Sequence, residues 1–329
     1  MRTITLSDPD AVWQAAHAIL TQPHAVAIFA KALSLLPTDG QGFAKMHRIR
    51  LELCHGLALF SANQMEACLA VLHTAAQRAA RHPLPAPTPQ PPTAMDTDAG
   101  LALLRHTLVG LAALGLTAFP TAGSLLGLVR EGRLLPKDKD LDVGVPFGQL
   151  QTAANAMPTL GWKPARVTVN AVNFRSFVHT QHPVTLDLLG YEWDATQPCV
   201  WGGWWPVGLP REQGRLLKLA PIQLELTSHP WGMHWAVCQP EQLLMQLYGP
   251  GWRTPDGAFD GTLETPALHA HTHFTRAWGA LRVLEAWLQG QAQLVARRLH
   301  ILAKLDATDP VVRAFTAPDA SPLPLGLPY

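Results

Sequence analysis

The sequence has few cysteines, little charge and no long uninterrupted apolar run. Its net charge of +1 gives no electrostatic reason to bind nucleic acid, and no apolar stretch is long enough to cross a bilayer. Asp8 and Asp10 lie where a signal peptide would need its apolar core, so we expect a cytoplasmic protein without a transmembrane segment. The scattered cysteines exclude a disulfide framework and a paired-cysteine zinc site, and they are expected in the core. They are Cys54, Cys68, Cys199 and Cys238.

Composition and proline content predict more than one domain. With 329 residues, of which 48% are hydrophobic, the chain can bury one or two sizeable cores. Six prolines in HPLPAPTPQPPTA make a semi-rigid linker. The predicted parts are an α-helical module at 1–81, the linker at 82–98, a catalytic domain that includes the C-terminal helices at 99–310, and a proline-rich tail at 311–329.

The helical module shows apolar residues at helical spacing in four segments, which predicts four antiparallel helices. Helical hairpins of this length are similar to tetratricopeptide units, although no repeat signature is present. Packing, or binding of a protein partner, is the expected role of this module.

The second half of the chain mixes helical and strand patterns. A helix is predicted to end at Gly115, and short alternating segments such as DLDVGV, FRSFVHT and VTLDLLGYEW predict strands. The helical period returns between Thr275 and Leu305. These patterns predict an α+β fold, with a mixed sheet and flanking helices.

Three aspartates alternate in the segment PKDKDLDVGV. On a strand, Asp140 and Asp142 point to one face about 7 Å apart, while Leu141 and Val143 face the core. Asp138 precedes them by the same spacing. Like charges so placed repel, and a basic partner or a divalent cation must offset the repulsion. Oxygen ligands of this kind suit Mg²⁺ or Mn²⁺.

The neighbouring sequence leaves two interpretations open. In one, the segment is an exposed loop where Lys137 and Lys139 balance the aspartates. In the other, Gly123 and Ser124 form an anion site at a helix start, with Ser124 as the N-cap. Asp187, a lone charge in an apolar strand, then supplies a third carboxylate, unless it is a turn-facing residue at a strand end.

Two ordered blocks resemble a known family. The block AGSLLGLVREGRLLPKDKDLDVGV resembles the signature of the LicD and fukutin-type proteins, and LLMQLYGPGWRTPDG resembles their later element through Tyr248, Gly249, Trp252 and Pro255. The resemblance covers about residues 100–260 and implies a DNA polymerase β-like nucleotidyltransferase fold. The chain has Lys-Asp-Lys-Asp at 137–140, where the family usually has Trp-Asp-Asp-Asp.

The resemblance also implies an activity. It is the transfer of a phospho-alcohol, such as phosphocholine, ribitol phosphate or glycerol phosphate, from a CDP-activated donor to a hydroxyl of a glycan or lipid-linked glycan. Transfer of a nucleoside monophosphate to a small molecule or protein, and an inactive scaffold, are the alternatives.

The implied roles fall on two groups of residues. Asp140 and Asp142 hold Mg²⁺ or Mn²⁺ across the pyrophosphate, Asp138 is an additional ligand, and Asp187 orients or deprotonates the acceptor hydroxyl. The predicted substrate-binding residues are Gly123, Ser124, Arg130 and Arg133. The two arginines neutralise phosphate charge in this interpretation, and they form a solvated helix end in the alternative one.

Two further clusters have alternative interpretations. The three tryptophans of WGGWWPVG either pack in a hairpin or stack on a sugar or choline group, and packing is favoured. His269, His271 and His273 alternate at a spacing that a metal could use, but a surface segment is favoured because no carboxylate or cysteine is near.

Overall fold

The computed structural model describes residues 19–20, 24–36, 43–87, 95–136, 138–165 and 171–323. The chain divides into two compact units. Residues 1–89, 168–170 and 271–329 make up one unit, and residues 90–167 and 171–270 make up the other. Among the described residues, no helix combines the length and the apolar character that crossing a membrane requires.

Helices come first and last among the described elements, and the strands lie between residues 119 and 237. The helices are α1 (Ala25–Leu35), α2 (Phe43–Ser61), α3 (Met65–Ala80), α4 (Thr97–Ala113), α5 (Ala122–Glu131), α6 (Leu150–Ala156), α7 (Pro240–Tyr248), α8 (His273–Leu288), α9 (Ala292–Leu305) and α10 (Pro310–Phe315). The strands are β1 (Phe119–Pro120), β2 (Asp140–Pro146), β3 (Trp162–Pro164), β4 (Phe174–His179), β5 (Thr185–Trp193), β6 (Val200–Trp204), β7 (Arg215–Leu219), β8 (Leu224–His229) and β9 (Gly232–Val237).

The first unit is helical and joins the two ends of the chain. Helix α3 packs against both α2 and α8. The ring of Phe60 on α2 lies 4.7 Å from that of Phe274 on α8, between centroids. Three of the four predicted N-terminal helices correspond to α1, α2 and α3, and the earliest one lies almost entirely outside the described residues. The unit is therefore built from helices that are far apart in sequence.

This arrangement differs from two of the predicted boundaries. The C-terminal helices, placed in the catalytic domain at 99–310, instead share a core with the N-terminal helices, because the apolar side of α8 is buried there. The predicted tail at 311–329 begins with part of a helix, α10, whose first turn is capped by Asp309. One cysteine also differs from expectation, since Cys238 is exposed.

The second unit contains a seven-stranded mixed sheet. Five strands have the order β1-β2-β5-β4-β3, and β6 continues from β5 to β7. Strands β2 and β5 pair in parallel, whereas the other pairs within this sheet are antiparallel. Strands β8 and β9 form a separate hairpin. The mixed sheet with flanking helices confirms the predicted α+β class.

The alternation of β2 separates an apolar face from an acidic one. Leu141 and Val143 are fully buried in a cluster with Leu104 and Leu108 of α4. A second cluster joins α5 and α7 to the sheet and includes Trp252. Helix α5 and the aspartates of β2 are consequently held by cores on both sides.

Candidate active site

The acidic face of the sheet is formed by adjacent strands. In the parallel ladder, Asp142 of β2 is the register partner of Asp187 of β5, and Asp140 is the partner of Thr185. The burial of Leu141 and Val143 confirms the predicted alternation along β2. The structure therefore places the three carboxylates of these strands on neighbouring positions, as the sequence predicted.

Helix α5 begins above these carboxylates. It starts at Ala122 with Thr121 as the N-cap residue, and the amide N–H of Leu125 donates to the Thr121 carbonyl at 2.9 Å. Ser124 is thus the third helical residue, so its predicted N-cap position is wrong. The reason is that a carboxylate from the sheet, and not a side-chain hydroxyl, accepts from the first turn of this helix.

The contacts of Gly123 and Ser124 fix Asp142. The N–H of Gly123 donates to Asp142 Oδ2 at 2.8 Å, and the N–H of Asp142 donates to the Ser124 hydroxyl at 2.8 Å. A Cβ at position 123 would lie 3.0 Å from Asp142 Oδ2 and 3.4 Å from Asp138 Oδ2, so this position is tight for any side chain. The anion at the positive end of α5 is the chain's own carboxylate.

Burial raises the pKa of all four aspartates, and repulsion from neighbouring aspartates adds to the shift for three of them. Burial raises the pKa of Asp138 to about 6, and the charge of Asp140 adds to this effect. Burial raises the pKa of Asp187 to about 7, while a hydrogen bond from Ser176 opposes the shift. For Asp142 the pKa lies well above its usual range, because of burial and then the charges of the other three aspartates. Burial also raises the pKa of Asp140.

Two hydrogen-bonding residues of the site were not predicted. Ser176 on β4 is the register partner of Asp187, and its hydroxyl donates to Asp187 Oδ1. The Tyr191 hydroxyl lies 2.7 Å from the Thr121 hydroxyl at the start of α5. The alternation of FRSFVHT could have placed Ser176 on a polar face, but no sequence pattern shows which strand is its neighbour.

The two predicted arginines lie in different environments. Arg130 donates to the Trp252 carbonyl at 3.4 Å and to Glu131 at 3.1 Å, and its charge lowers the pKa of Asp138. The side chain of Arg133 is 63% exposed, with its Nε 3.9 Å from Glu131. The structure brings Arg130, but not Arg133, into the electrostatic surroundings of the aspartates.

The second sequence block packs beside the site. Tyr248 is the last residue of α7, and burial followed by the charges of Asp142 and Asp138 holds its pKa well above the usual range. Trp252 is 4% exposed and belongs to the core that contains α5. Two sequence blocks that are far apart in the chain thus meet at one place.

A divalent cation fits the chemistry of this donor set. Across the described residues, no three His, Cys, Asp or Glu side chains already converge as a complete metal-ligand set. The aspartates nevertheless supply the oxygen ligands that Mg²⁺ prefers, and Asp138 Oδ2 is buried without a hydrogen-bond partner. The exposed Lys139 lowers the pKa of Asp140, and Lys137 lies outside the described residues.

The tryptophan and histidine clusters make contacts of their own. Trp201 and Trp205 are buried, which confirms the packed interpretation, and the Trp201 indole donates to Asp194 at 2.9 Å. His269 contacts the Trp201 ring edge-on, and His271 contacts the Thr275 hydroxyl at 3.0 Å.

A family model matches the part of the chain that carries this site. Residues 115–195 match the family model "LicD/FKTN/FKRP, nucleotidyltransferase domain", a range that spans α5 and all four aspartates. No curated protein matches the chain. Among solved structures, the lincomycin-bound lincosamide antibiotic adenylyltransferase LnuA is similar at 13% identity, with 44% of this chain and 83% of that chain covered and a TM-score of 0.32. The match over residues 115–195 supports the predicted resemblance to the LicD and fukutin-type family, and with it a phosphotransferase or nucleotidyltransferase type of role.

Proposed function

We propose that this protein is an enzyme that transfers a phospho-alcohol from a CDP-activated donor to a hydroxyl of a glycan or lipid-linked glycan, with Mg²⁺ or Mn²⁺ as cofactor. The observation that carries the proposal is the gathering of Asp138, Asp140, Asp142 and Asp187 around the start of α5. Four buried carboxylates repel one another, and without a cationic ligand this repulsion lowers the stability of the fold.

Asp140 and Asp142 would hold the cation, with Asp138 as a further oxygen ligand. When bound, the cation neutralises charge on the donor pyrophosphate. The chain prepares this site by fixing Asp142 on two sides, through the Gly123 amide and the Ser124 hydroxyl. The substrate-binding roles of Gly123 and Ser124 stay predictions, and the contacts described for both residues are with Asp142.

Asp187 is suited to accept the proton of the acceptor hydroxyl. Ser176 donates to its Oδ1 and orients the carboxylate, which leaves Oδ2 for the proton. Burial raises the pKa of Asp187 to about 7, close to the value at which a general base works best near neutral pH.

Arg130 would neutralise negative charge on the transferred phosphoryl group or on the departing CMP. Its guanidinium is held by the Trp252 carbonyl and by Glu131, so its position is set before a donor binds. Arg133 is the more exposed of the two and would act at the rim.

The test is a thermal-shift screen followed by product analysis. CDP-choline, CDP-ribitol and CDP-glycerol are each added to the full chain in Mg²⁺ and in EDTA. We expect one donor to raise the melting temperature in Mg²⁺ only, and to release CMP when the acceptor is supplied. In a parallel reaction a nucleoside triphosphate replaces the CDP-alcohol. Release of pyrophosphate there would instead establish nucleotidyl transfer. Absence of any Mg²⁺ binding would favour the scaffold interpretation.

A further inference from the structure

A groove on the helical unit provides a second place where a ligand could bind. It has a volume of about 410 Å³ and lies between the end of α3 and the chain from α10 to Asp319. Gln77 on α3 and Arg81 directly after it line one side, while Arg313 and two alanines line the C-terminal side. This volume is within the range of about 300–1,000 Å³ that is usual for small-molecule sites.

Among the residues that the structure describes, some polar side chains of the groove have a partner and others do not. Arg81 Nε contacts Asp319 Oδ2 at 2.9 Å, and the two side chains are 65% and 61% exposed. Within the part of the chain that the structure describes, the side chains of Arg313 and Gln77 form no hydrogen bond or ion pair. The groove is therefore lined by two guanidinium groups, of which only that of Arg81 contacts the carboxylate of Asp319.

The position of Asp319 shows that an anion can occupy this place. An exposed ion pair contributes about 0–1 kcal/mol, so a stronger anion displaces it at little cost. The backbone of this segment is held independently, since the N–H of Ser321 donates to the Ala80 carbonyl at 2.7 Å. Rotation of the Asp319 side chain therefore need not break the backbone contact that holds this segment.

We propose that this groove binds a small molecule that carries a phosphate group, held between Arg81 and Arg313. A phosphate monoester has two negative charges and three acceptor oxygens, which match two planar guanidinium groups better than a single carboxylate does. The Gln77 amide supplies a further neutral donor. This site belongs to the helical unit, and the proposal does not depend on the activity proposed for the acidic face.

Isothermal titration calorimetry of the full chain with glycerol phosphate tests the proposal. The titration is done in EDTA, where the aspartates of the acidic face repel phosphate. We expect saturable binding of one equivalent, weakened at least about tenfold by Arg313→Gln or Arg81→Gln and strengthened about threefold by Asp319→Asn. Lys304→Gln removes the same charge from an exposed position of α9 and is expected to leave the affinity unchanged.

Several outcomes would overturn the proposal. They are no saturable binding, equal binding by Arg313→Gln and the unchanged chain, and weaker binding by Asp319→Asn. Equal affinity for succinate would overturn the assignment to phosphate. Loss of binding in Asp142→Asn would place the ligand at the acidic face instead.

Discussion

The two units bury carboxylates in opposite ways. In the helical unit, Glu52 accepts hydrogen bonds from Arg48 at 3.1 Å and from Arg78 at 3.0 Å. On the acidic face of the sheet, the charges that favour ionisation come from Arg130 and Lys139. Neither residue forms an ion pair with an aspartate among the described residues.

This difference suggests that the charge of Glu52 has a structural role and that the charges of the acidic face have a functional one. The two arginines offset part of the cost of burying Glu52, whose pKa burial nevertheless raises, and removal of one arginine leaves more of that cost unbalanced. A cluster of uncompensated carboxylates lowers stability, and this cost is typical of sites whose charge is completed by a ligand. The two regions should therefore respond oppositely to substitution.

The largest effect is expected from Asp142→Asn. The amide oxygen can still accept from Gly123, so the fold should persist, while turnover should fall by about 10³-fold because a charged oxygen ligand is lost. Melting in EDTA should occur at a higher temperature than in the unchanged chain. Asp98→Asn, at an exposed position of α4, is the matched control and should keep full activity. Full turnover by Asp142→Asn would place the reacting centre elsewhere.

The pH dependence of stability is the next largest effect. The pKa of Asp187 is about 7 in the folded protein, against 3.8 for the ordinary group, so between these values the folded state binds more protons than the unfolded state. Stability in EDTA should therefore decrease as the pH rises from about 4 to about 7, by up to about 4 kcal/mol from this group.

Asp187→Asn removes this contribution and should flatten the profile. Urea denaturation at several pH values, with Mg²⁺ replaced by EDTA, measures the change in the free energy of unfolding. The expectation would be wrong if the free energy of unfolding of the unchanged chain rose over the same pH range. Cationic groups would then already compensate the aspartates in the folded chain.

The helical unit should be sensitive to loss of one cation. Arg78→Ala leaves Glu52 with Arg48 as its ion-pair partner, so the free energy of unfolding should fall by about 2 kcal/mol. The double variant with Glu52→Gln should recover part of this loss, because the buried charge is then absent. Equal stability of the single variant and the unchanged chain would contradict the comparison.

The smallest effect is expected from Lys139→Asp. Lys139 is exposed and lowers the pKa of Asp140 from outside the cluster, so turnover should stay within about tenfold, or roughly 1.4 kcal/mol of barrier. The steady-state rate at saturating Mg²⁺ measures this change. Loss of all activity with the fold intact would make Lys139 part of the site.

Local periodicity explains what could be predicted from the sequence. The side chains of a strand alternate, so the common face of Asp140 and Asp142 followed from their spacing, and the structure confirms it. A lone charge in an apolar strand led to the prediction that Asp187 supplies a third carboxylate, and its register with Asp142 agrees.

Contacts between distant segments explain what could not be predicted. The N-cap of α5 was misplaced because an N–H of its first turn donates to Asp142 of β2. No local sequence pattern indicates this contact between distant segments. The C-terminal helices have the periodicity of any amphipathic helix, which does not identify the core that buries them. The hydrogen bond from Ser176 to Asp187 depends on strand order in the same way.

The parallel pairing of β2 with β5 has a consequence for how the chain reaches this state. Parallel neighbours need a long crossover, so Asp142 and Asp187 come together only after residues 147–184 have closed a loop between them. We therefore expect the repulsion between these two carboxylates to arise late in folding. We expect raising the pH in EDTA to accelerate unfolding more than it slows refolding, and stopped-flow kinetics would reveal the opposite order if the strands paired early.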